Sequence, residues 1–499
     1  MNKTALTLVT LFVLSFFVSF SQNPVPEIKV SVNFKNKEAN DILDVLSKKT
    51  GYYFSYNAEV LPENKKISIT ERNISLKNIL DSVFRNNVDY KLLGNHIVIT
   101  KHNFSENPEQ NNRITYKGKI INAETRAAVP FASVGILNTT KGTAANQNGE
   151  FILNIPLSLK DSAVYISHIG YKNFSCKIQE DNCPEIIKLS PRYISVEEVI
   201  IRSKNPRKII SNLSLNIKNN YLQKPFIITS FYREGVIEKK QIKNYSEAVS
   251  YIYKTPYKPT ISSDKIKVLK SRKITNTKAN DSLKVKLQNG LYASMQLDIV
   301  KNMFDFITLT EMPYFDYQLV DITEQNGNLL YIVDFKPYSV KRMPSYEGKL
   351  YIDNKNYALI KAEFSINLKR KNPGVNFTVK KSKKYSVIPV SARYSVSYRQ
   401  FSGKYAINHV RADIVFKIRK KGTAFKTKYR TFFETSAIDY NFTDVKKFER
   451  QEILKKNTVF IDNNYIYDAS FWGNTNFISP EKPVRNALND IKAKIILKK

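Results

Sequence analysis

Histidine is the side chain that most often transfers protons near neutral pH, and this chain of 499 residues contains only four. His96 and His102 flank a predicted strand without carboxylates to support a metal site, so we interpret them as exposed strand-end residues. His168 lies in the alternating run YISHIGY, where a packed or edge position explains it. The sequence contains no HxxE pair, no HExxH motif and no GxSxG motif, on which zinc and serine hydrolases depend. We therefore predict no enzymatic activity, no metal site and no cofactor.

Three charged residues stand within segments that otherwise have the pattern of strands. Arg233 and Glu234 lie in FYREGVIEKK, and Glu247 lies in NYSEAVSYIYKTPY. These side chains could lie together in the folded chain. A structural ion pair explains them equally well, so we assign them no catalytic role.

The two cysteines, Cys176 and Cys183, are seven residues apart in SCKIQEDNC. In an oxidising compartment such a pair can close a small loop, and we favour a disulfide over two free thiols. A structural zinc site would need four ligands at zinc-finger spacing, and the sequence does not supply them.

The length and composition indicate a chain of several folded domains. At roughly 100 to 200 residues per domain, 499 residues correspond to about three or four domains. Hydrophobic residues make up 42% and aromatic residues 12% of the chain, against 25% charged residues. Such a chain can bury apolar cores, so we do not expect it to be disordered as a whole.

The net charge is strongly positive and unevenly distributed. Lys and Arg number 79 against 44 Asp and Glu, a formal charge of +35, and counting by segment assigns +31 of it to residues 201–499. Anionic lipid, lipopolysaccharide or acidic glycan would be attracted by such a field; a solubilising charge without a partner is the alternative. A nucleic-acid partner is not expected, because no recognisable binding motif is present.

Residues 1–21 have the pattern of a secretory signal peptide. Lys3 precedes the apolar stretch ALTLVTLFVLSFFVSF, and the small residues Ser19 and Ser21 precede a plausible cleavage point. A membrane anchor fits less well because the apolar run is shorter than the ~20 residues of a spanning helix. We therefore expect an exported protein that is periplasmic or associated with the outer membrane.

Residues 27–102 predict the element order β-α-β-β-α-β-β. IKVSVNF and KKISITERN alternate like strands, NKEANDILDVLSKKTG and ISLKNILDSVFRNN have helical periodicity, and YKLLGNHIVITKH reads as a hairpin turning at Gly94-Asn95. These segments resemble the secretin and TonB short N-terminal (STN) domain. The resemblance implies a periplasmic module without chemistry of its own, which binds envelope proteins and in signalling receptors contacts an inner-membrane regulator.

Residues 103–113, NFSENPEQNNR, are polar and read as a linker to a second module at residues 114–200. Short alternating strands between turns at Asn122-Ala123-Glu124-Thr125 and Asn146-Gln147-Asn148-Gly149 predict a small β-sandwich. GKIINAETRAAVPFASVGI, GTAANQNGEFILNIP and ISHIGYKNF resemble the carboxypeptidase regulatory-like domain, a prealbumin-type sandwich. In that family the domain is an accessory without the zinc ligands. Ala145-Asn146 replaces the family's common Thr-Asp pair, which argues against a cation at that turn.

SVEEVIIRS, residues 195–203, resembles the segment that leads into the plug of TonB-dependent receptors. Only 296 residues follow Ser203, whereas a plug and a barrel of about 22 strands need far more chain at ~10 residues per strand. We therefore expect modules related to those receptors without their plug and barrel.

Residues 204–460 predict a basic, antiparallel β-rich domain. SARYSVSYRQF alternates, with Ala392, Tyr394, Val396 and Tyr398 on one face. RADIVFKIRKKGTAFKTKYR predicts a hairpin around Lys421-Gly422 whose apolar face carries Ile414, Phe416, Ile418, Phe425 and Tyr429. Its outer face carries Lys417, Arg419, Lys426, Lys428 and Arg430, which we call the basic strip. The strip could bind an anionic envelope partner or could be a solvated sheet face.

YEGKLYIDNKNYALIKAEFSIN, residues 346–367, resembles the strands of lipoprotein-carrier-type half-barrels, which implies a curved sheet around an apolar cavity. A small transmembrane barrel is the competing interpretation. The tail at residues 461–499 ends in PEKPVRNALNDIKAKIILKK, which predicts a basic helix and not a terminal aromatic strand.

The sequence thus predicts a multidomain α+β and mainly β protein with a possible half-barrel. We expect a non-catalytic, periplasm-facing interaction or signalling scaffold that is associated with the outer membrane. The alternative is a transport accessory, or a carrier that binds lipid or glycan through the basic C-terminal domain.

Overall fold

The computed structural model of the protein describes residues 28–56, 66–84, 88–93, 96–101, 113–178, 183–194, 205–238, 241–258, 263–275, 285–287, 290–338, 346–366, 368, 378–381, 384–424, 426–456, 475–481 and 485. The predicted signal peptide, the turn at Gly94-Asn95, Phe425, His102, and most of the predicted linker and tail lie outside these residues, as does the side chain of His96. No described helix is long and apolar enough to cross a membrane.

The described chain is mostly β-structure and contains a large antiparallel sheet, which confirms the coarse fold prediction. The described residues fall into two compact units, one within residues 28–101 and the other within residues 113–485. The finer assignment of domain types and boundaries stays a prediction.

The first unit contains, in chain order, β1 (Lys29–Lys37), α1 (Ala39–Thr50), β2 (Tyr53–Tyr56), β3 (Ile67–Ser75), α2 (Leu76–Phe84), β4 (Val88–Leu93) and β5 (His96–Lys101). β1 pairs antiparallel with β3, while β2 runs parallel to β5 and β4 antiparallel to it. Both helices bury the apolar faces expected from their periodicity. Helix α1 ends where Gly51 adopts φ 74° and donates its N–H to the carbonyl of Ser47.

The second unit begins with two small sheets that enclose one apolar core. Their strands are β6 (Arg113–Asn122), β7 (Ser133–Ile136), β8 (Gly142–Ala144), β9 (Glu150–Pro156), β10 (Ala163–Ser167), β11 (Phe174–Lys177) and β12 (Ile186–Leu189). The strand orders are β11-β10-β7-β8 and β12-β6-β9. We call this part the sandwich. Cys176 and Cys183 form a disulfide at its edge, with Cα atoms 5.4 Å apart.

The turn between β8 and β9 depends on Asn146 and Gly149. The Asn146 side-chain oxygen accepts hydrogen bonds from the N–H groups of Asn148 and Glu150. Gly149 adopts φ 75°, and a Cβ there would lie 2.2 Å from the carbonyl oxygen of Ile120. Only glycine fits this position without moving the backbone.

The rest of the second unit is built on a ten-stranded sheet. Its strands are β13 (Phe226–Glu238), β14 (Gln241–Lys254), β15 (Lys265–Thr275), β17 (Phe315–Gln325), β18 (Asn328–Pro337), β19 (Tyr346–Asp353), β20 (Leu359–Ile366), β22 (Tyr385–Phe401), β23 (Lys404–Lys420) and β24 (Lys426–Asn441). The order is β15-β14-β13-β24-β23-β22-β20-β19-β18-β17, antiparallel throughout. β16 (Val285–Leu287) and β21 (Thr378–Lys381) pair separately. The helices are α3 (Pro206–Leu215), α4 (Ile217–Asn220) and α5 (Gly290–Gln296).

One face of the ten-stranded sheet is apolar and is covered by the chain's own helices and residues 290–314. Phe306 stacks on Phe335 with ring centroids 4.2 Å apart, and Thr435 donates a hydrogen bond to Ser294. The predicted alternation in β22 is confirmed, since Ala392, Tyr394, Val396 and Tyr398 are all buried on this face. The chain itself therefore occupies the surface on which the half-barrel interpretation placed a cavity.

Candidate functional site: a row of charges across the sheet

A single line of polar side chains crosses the other face of the ten-stranded sheet. Each member is the direct cross-strand partner of the next, and together we call them the charged row. From edge to edge, the row consists of Arg272, Glu247, Arg233, Glu434, Arg411, Ser395, Glu363, Lys349, Asp334 and Gln318. Because side chains directly opposite each other in an antiparallel ladder share a face, all ten point away from the apolar core.

The first five members alternate in sign, so each inner charge has an opposite charge on both sides. Arg233 Nε lies 2.5 Å from Glu434 Oε2, and Arg272 Nε lies 2.5 Å from Glu247 Oε2. Arg411 Nη1 lies 3.1 Å from the same oxygen of Glu434. All five side chains are buried, and Arg233 and Glu434 are completely inaccessible to solvent. This is the buried half of the row.

The other end of the row is open to solvent. Lys349 Nζ lies 3.1 Å from Asp334 Oδ1, and these side chains are 48% and 43% exposed. Glu363 pairs instead with Lys361, at 2.6 Å. Along this one line across the sheet, the ion pairs are therefore buried towards β15 and exposed to solvent towards β17.

The protonation of the buried half is fixed by its own charges. Burial alone would raise the pKa of Glu434, but Arg233 and Arg411 outweigh burial and hold that pKa well below the usual range of a glutamate. Burial alone would lower the pKa of Arg233, yet Glu434 raises it above its usual value. Both groups stay ionised near neutral pH, so neither can act as a general acid or base there.

His409 and Tyr245 complete the hydrogen bonding of the two glutamates. His409 Nε2 lies 2.7 Å from Glu434 Oε1, and the imidazole stacks on Phe131 of the sandwich at 5.3 Å. Tyr245 donates its hydroxyl hydrogen to Glu247 Oε1 at 2.5 Å. The carboxylates are thus occupied by structural partners.

Residues 475–481, which we call the C-terminal strap, lie between the sandwich and the sheet. Arg233 Nη1 donates to the carbonyl of Ser479 at 3.1 Å, and Arg411 Nη1 lies 3.1 Å from Glu481 Oε1. On the sandwich side, the Asn146 amide donates to Ser479 at 3.2 Å. Further contacts join Asn154 to Asn476 and form a β-bridge between Ile152 and Phe477. The strap therefore caps the buried half of the row.

The sandwich also contacts the sheet directly on this face. Arg399 donates to the carbonyls of Thr139 and Thr140 at 2.9 and 3.2 Å. Lys141 Nζ lies 2.6 Å from Asp439 Oδ2. The guanidinium of Arg411 lies 5.3 Å from the Phe131 ring, where a cation–π contact is favourable. The buried half of the row connects the sandwich, the strap and the sheet. Together with the adjoining side chains of His409, Arg430 and Glu481, we call it the joint.

A second buried ion network lies apart from the row and anchors residues 290–314. Lys254 Nζ lies 2.6 Å from Asp264 Oδ2 and 2.9 Å from Asp298 Oδ2. Tyr398 donates its hydroxyl hydrogen to Asp298 Oδ1 at 3.0 Å. Burial alone would lower the pKa of Lys254, but Asp264 and Asp298 raise it above its usual value. Like the buried half of the row, this network pairs its buried cation with carboxylates of the same chain.

The structure brings together two of the three charged residues that the sequence singled out and separates the third from them. Arg233 and Glu247 are direct cross-strand partners in the row. Glu234 is on the opposite face, where it accepts a hydrogen bond from the Tyr232 hydroxyl. The sequence interpretation missed the other members of the joint, namely Arg272, His409, Arg411, Glu434 and Glu481. A single charge inside an apolar strand, such as the glutamate of TFFETSAI, was the available signal.

The basic strip lies on the charged face of the β23–β24 hairpin. Lys417 is directly opposite Lys428, Arg419 is directly opposite Lys426, and all four side chains are exposed. Arg430 differs, because its guanidinium lies 2.7 Å from Asp413 Oδ1 and is partly buried. The structure thus places four of the five predicted residues at the exposed tip and uses the fifth in the joint.

His168 lies on the sandwich, and its Nδ1 atom is 2.9 Å from the carbonyl oxygen of Ile169. Burial lowers the pKa of His168 to about 4, and the nearby Lys361 contributes in the same direction. Among the described residues, no group of three His, Cys, Asp or Glu side chains could hold a metal ion.

Comparison with known proteins identifies one part of the chain. Residues 116–201 match the family described as CarboxypepD_reg-like domain, which supports the resemblance found at residues 114–200. That domain is a non-catalytic type. No curated protein matches the chain.

Solved structures that are distantly similar to the chain include the following two. A DUF1329 family protein from Desulfovibrio piger is 12% identical, over 50% of this chain and 100% of that one, with a TM-score of 0.22. Lipovitellin, from a study of its lipid–protein interactions, is 8% identical over 46% of this chain and 26% of that one, with a TM-score of 0.21. Neither likeness is close enough to establish a shared fold.

Proposed function

We propose that this protein is a non-catalytic interaction or signalling scaffold, exported and associated with the outer membrane on its periplasmic side. The observation that carries the proposal is the joint. Its Arg and Glu residues form a cluster of ionisable groups, as catalytic sites do, yet they are buried, ionised and bonded to one another, to the sandwich and to the strap. Side chains that are so deeply buried and paired hold parts of a protein together and are not accessible to a substrate.

The sandwich supports the same proposal. It matches a regulatory-like domain, which is an accessory module and does not perform chemistry. Here it is fixed to a large sheet through the joint. Parts that are held together by buried contacts pre-organise a binding surface, which lowers the entropic cost of binding a partner.

We assign partner binding to residues 27–102, because their sequence resembles a periplasmic interaction module of receptors related to this chain. They belong to a compact unit separate from the sandwich and sheet. The expected partners are envelope proteins. The predicted signal peptide and the disulfide between Cys176 and Cys183 are consistent with an oxidising compartment.

The test is crosslinking of a tagged chain in the native envelope, followed by membrane fractionation and identification of the captured proteins. The same experiment is repeated with residues 27–102 deleted. We expect a specific envelope protein to be lost on deletion. A variant with Lys446 and Lys447 changed to Gln keeps residues 27–102 intact and serves as a control, which should capture the same partners as the unmodified chain. An unchanged partner list after deletion would refute the role given to residues 27–102.

A transport accessory or a lipid or glycan carrier is the second candidate function, favoured by the exposed basic strip. An acyl chain bound to the apolar face of the sheet would have to displace residues 290–314, including Phe306. Solvent extraction of the purified protein and uptake of a fluorescent fatty acid test this candidate. If neither reveals a bound lipid, the acyl-carrier form of the proposal fails.

A further inference from the structure

The tip of the β23–β24 hairpin breaks the pairing rule that the rest of the charged face follows. Lys417 lies directly opposite Lys428, and Arg419 lies directly opposite Lys426. Like charges in this arrangement destabilise a β-ladder. The neighbouring strand does not compensate, because Ser386 is opposite Arg419 and the residue opposite Lys417 is an isoleucine.

The sequence offers these four cations no acidic residue nearby along the hairpin. Between Asp413 and Glu434, β23 and β24 with their turn contain seven Lys or Arg residues and no Asp or Glu. Asp413 is already engaged by Arg411 and Arg430. The repulsion at the tip is therefore a property of the chain that an external anion would relieve.

Exposed aliphatic side chains adjoin the cations. Ile388 is directly opposite Lys417 and is 50% exposed, and Val390 is 40% exposed two residues further along β22. An isoleucine so exposed loses hydrophobic free energy that burial would recover. The tip thus combines positive charge with aliphatic surface at one end of the sheet.

We propose that this hairpin tip docks on the surface of an anionic phospholipid bilayer. Lipid phosphates would neutralise Lys417, Arg419, Lys426 and Lys428, while Ile388 and Val390 would enter the boundary between headgroups and acyl chains. A nucleic acid or an acidic glycan could meet the cations but would leave the aliphatic side chains in water. The inference rests on the proposed association with a membrane and specifies which residues contact the lipid.

The expected contribution of each cation follows from the attraction of a basic side chain to an anionic membrane surface. That attraction corresponds to about a fivefold change in binding for each Lys or Arg near the surface. Replacing two strip residues should therefore weaken binding about 25-fold. Since the field is screened beyond about 10 Å at ~0.1 M salt, binding should also fall steeply as salt is added.

The experiment is sedimentation of the purified mature chain with vesicles of phosphatidylcholine, with and without phosphatidylglycerol. We expect binding to the anionic vesicles only. The Lys417→Gln/Lys428→Gln double variant should bind about 25-fold more weakly. The matched control, Lys446→Gln/Lys447→Gln, removes the same charge beyond the other end of β24 and should bind as the unmodified chain does. Equal weakening by both double variants would show a dependence on net charge alone and would overturn the proposal.

A third variant separates a lipid surface from other polyanions. Ile388→Ser keeps every charge and should weaken vesicle binding without changing the affinity for heparin or a short DNA duplex. Binding to heparin or DNA without binding to vesicles would also overturn the proposal. Vesicle binding uses no partner protein, so the two proposals fail separately. Loss of crosslinked partners with vesicle binding intact would count only against the scaffold, and the reverse result only against the docking tip.

Discussion

The same two strands carry opposite charges at their centre and like charges at their tip. Arg411 and Glu434 face each other under the strap and the sandwich, whereas Lys417 and Lys428 face each other in solvent six residues further along. Both pairs lie on one face of one hairpin. Removing a charge from water costs several kcal/mol unless an opposite charge compensates, while water and salt screen an exposed pair. Burial therefore determines where complementary pairing is obligatory.

The largest effect is expected for Glu434→Gln, in the buried half of the row. The substitution keeps the shape of the side chain but leaves Arg233 and Arg411 buried with less compensating charge. We expect the free energy of unfolding of the full chain to fall by about 3 to 5 kcal/mol in chemical denaturation.

Glu363→Gln is the control, because it removes the carboxylate of the same row where that row is open to solvent. The loss there should not exceed about 1 kcal/mol. Equal losses in the two variants would contradict the view that burial sets the cost.

A pH titration tests the effect of burial at the boundary between the sandwich and the open half of the row, where His168 lies near Lys361 and Glu363. The pKa of His168 is lowered from 6.5 to about 4 in the folded chain. The unfolded chain therefore binds this proton first, so the stabilisation is complete above pH 6.5 and is lost as the pH falls towards 4. Between pH 7.5 and 5 we expect a loss of about 1 to 2 kcal/mol.

His168→Asn should remove that part of the pH dependence. Denaturant unfolding of both chains across this pH range measures it as a difference, in which titrations elsewhere in the chain cancel. Parallel stability curves for the two chains would refute the assignment to His168.

The smallest expected effect is at the tip. Lys428→Glu places a carboxylate directly opposite Lys417 and beside the other strip residues. It should raise the free energy of unfolding by about 0.2 to 1 kcal/mol. Glu434→Gln in the buried half should instead lower it. Lys446→Glu, outside the ladder, should leave stability nearly unchanged. A loss of stability in Lys428→Glu would show that the like-charge pairs carry no strain.

The sequence allowed the strands of this face to be predicted but not their order. Alternation in SARYSVSYRQF and in the β23–β24 hairpin follows from a period of two, so the buried and exposed positions of each strand could be inferred locally. The joint depends on which strands are neighbours. β13 lies between β14 and β24, and the contact of Arg233 with Glu434 spans 201 residues. No local pattern contains that pairing.

What covers the apolar face of the ten-stranded sheet could not be predicted from local sequence patterns either. Aromatic richness and the segment at residues 346–367 indicated a curved sheet with something apolar against it. They could not indicate that residues 290–314 of the same chain would lie there, because helix α5 has only seven residues, too few for a helical period to be recognised. The disulfide between Cys176 and Cys183, by contrast, could be predicted because the two residues are only seven apart in the sequence.

The strap also has a consequence for the order of synthesis. Asn154 and Asn476 are 322 residues apart, and the strap is among the last described parts of the chain. The strands of the sandwich are all synthesised by residue 189, but the joint cannot close until residue 481 is available. Contacts of such separation form late. A nascent or prematurely terminated chain would therefore show Arg233 and Arg411 without their final cover, which distinguishes an unfinished molecule from a finished one.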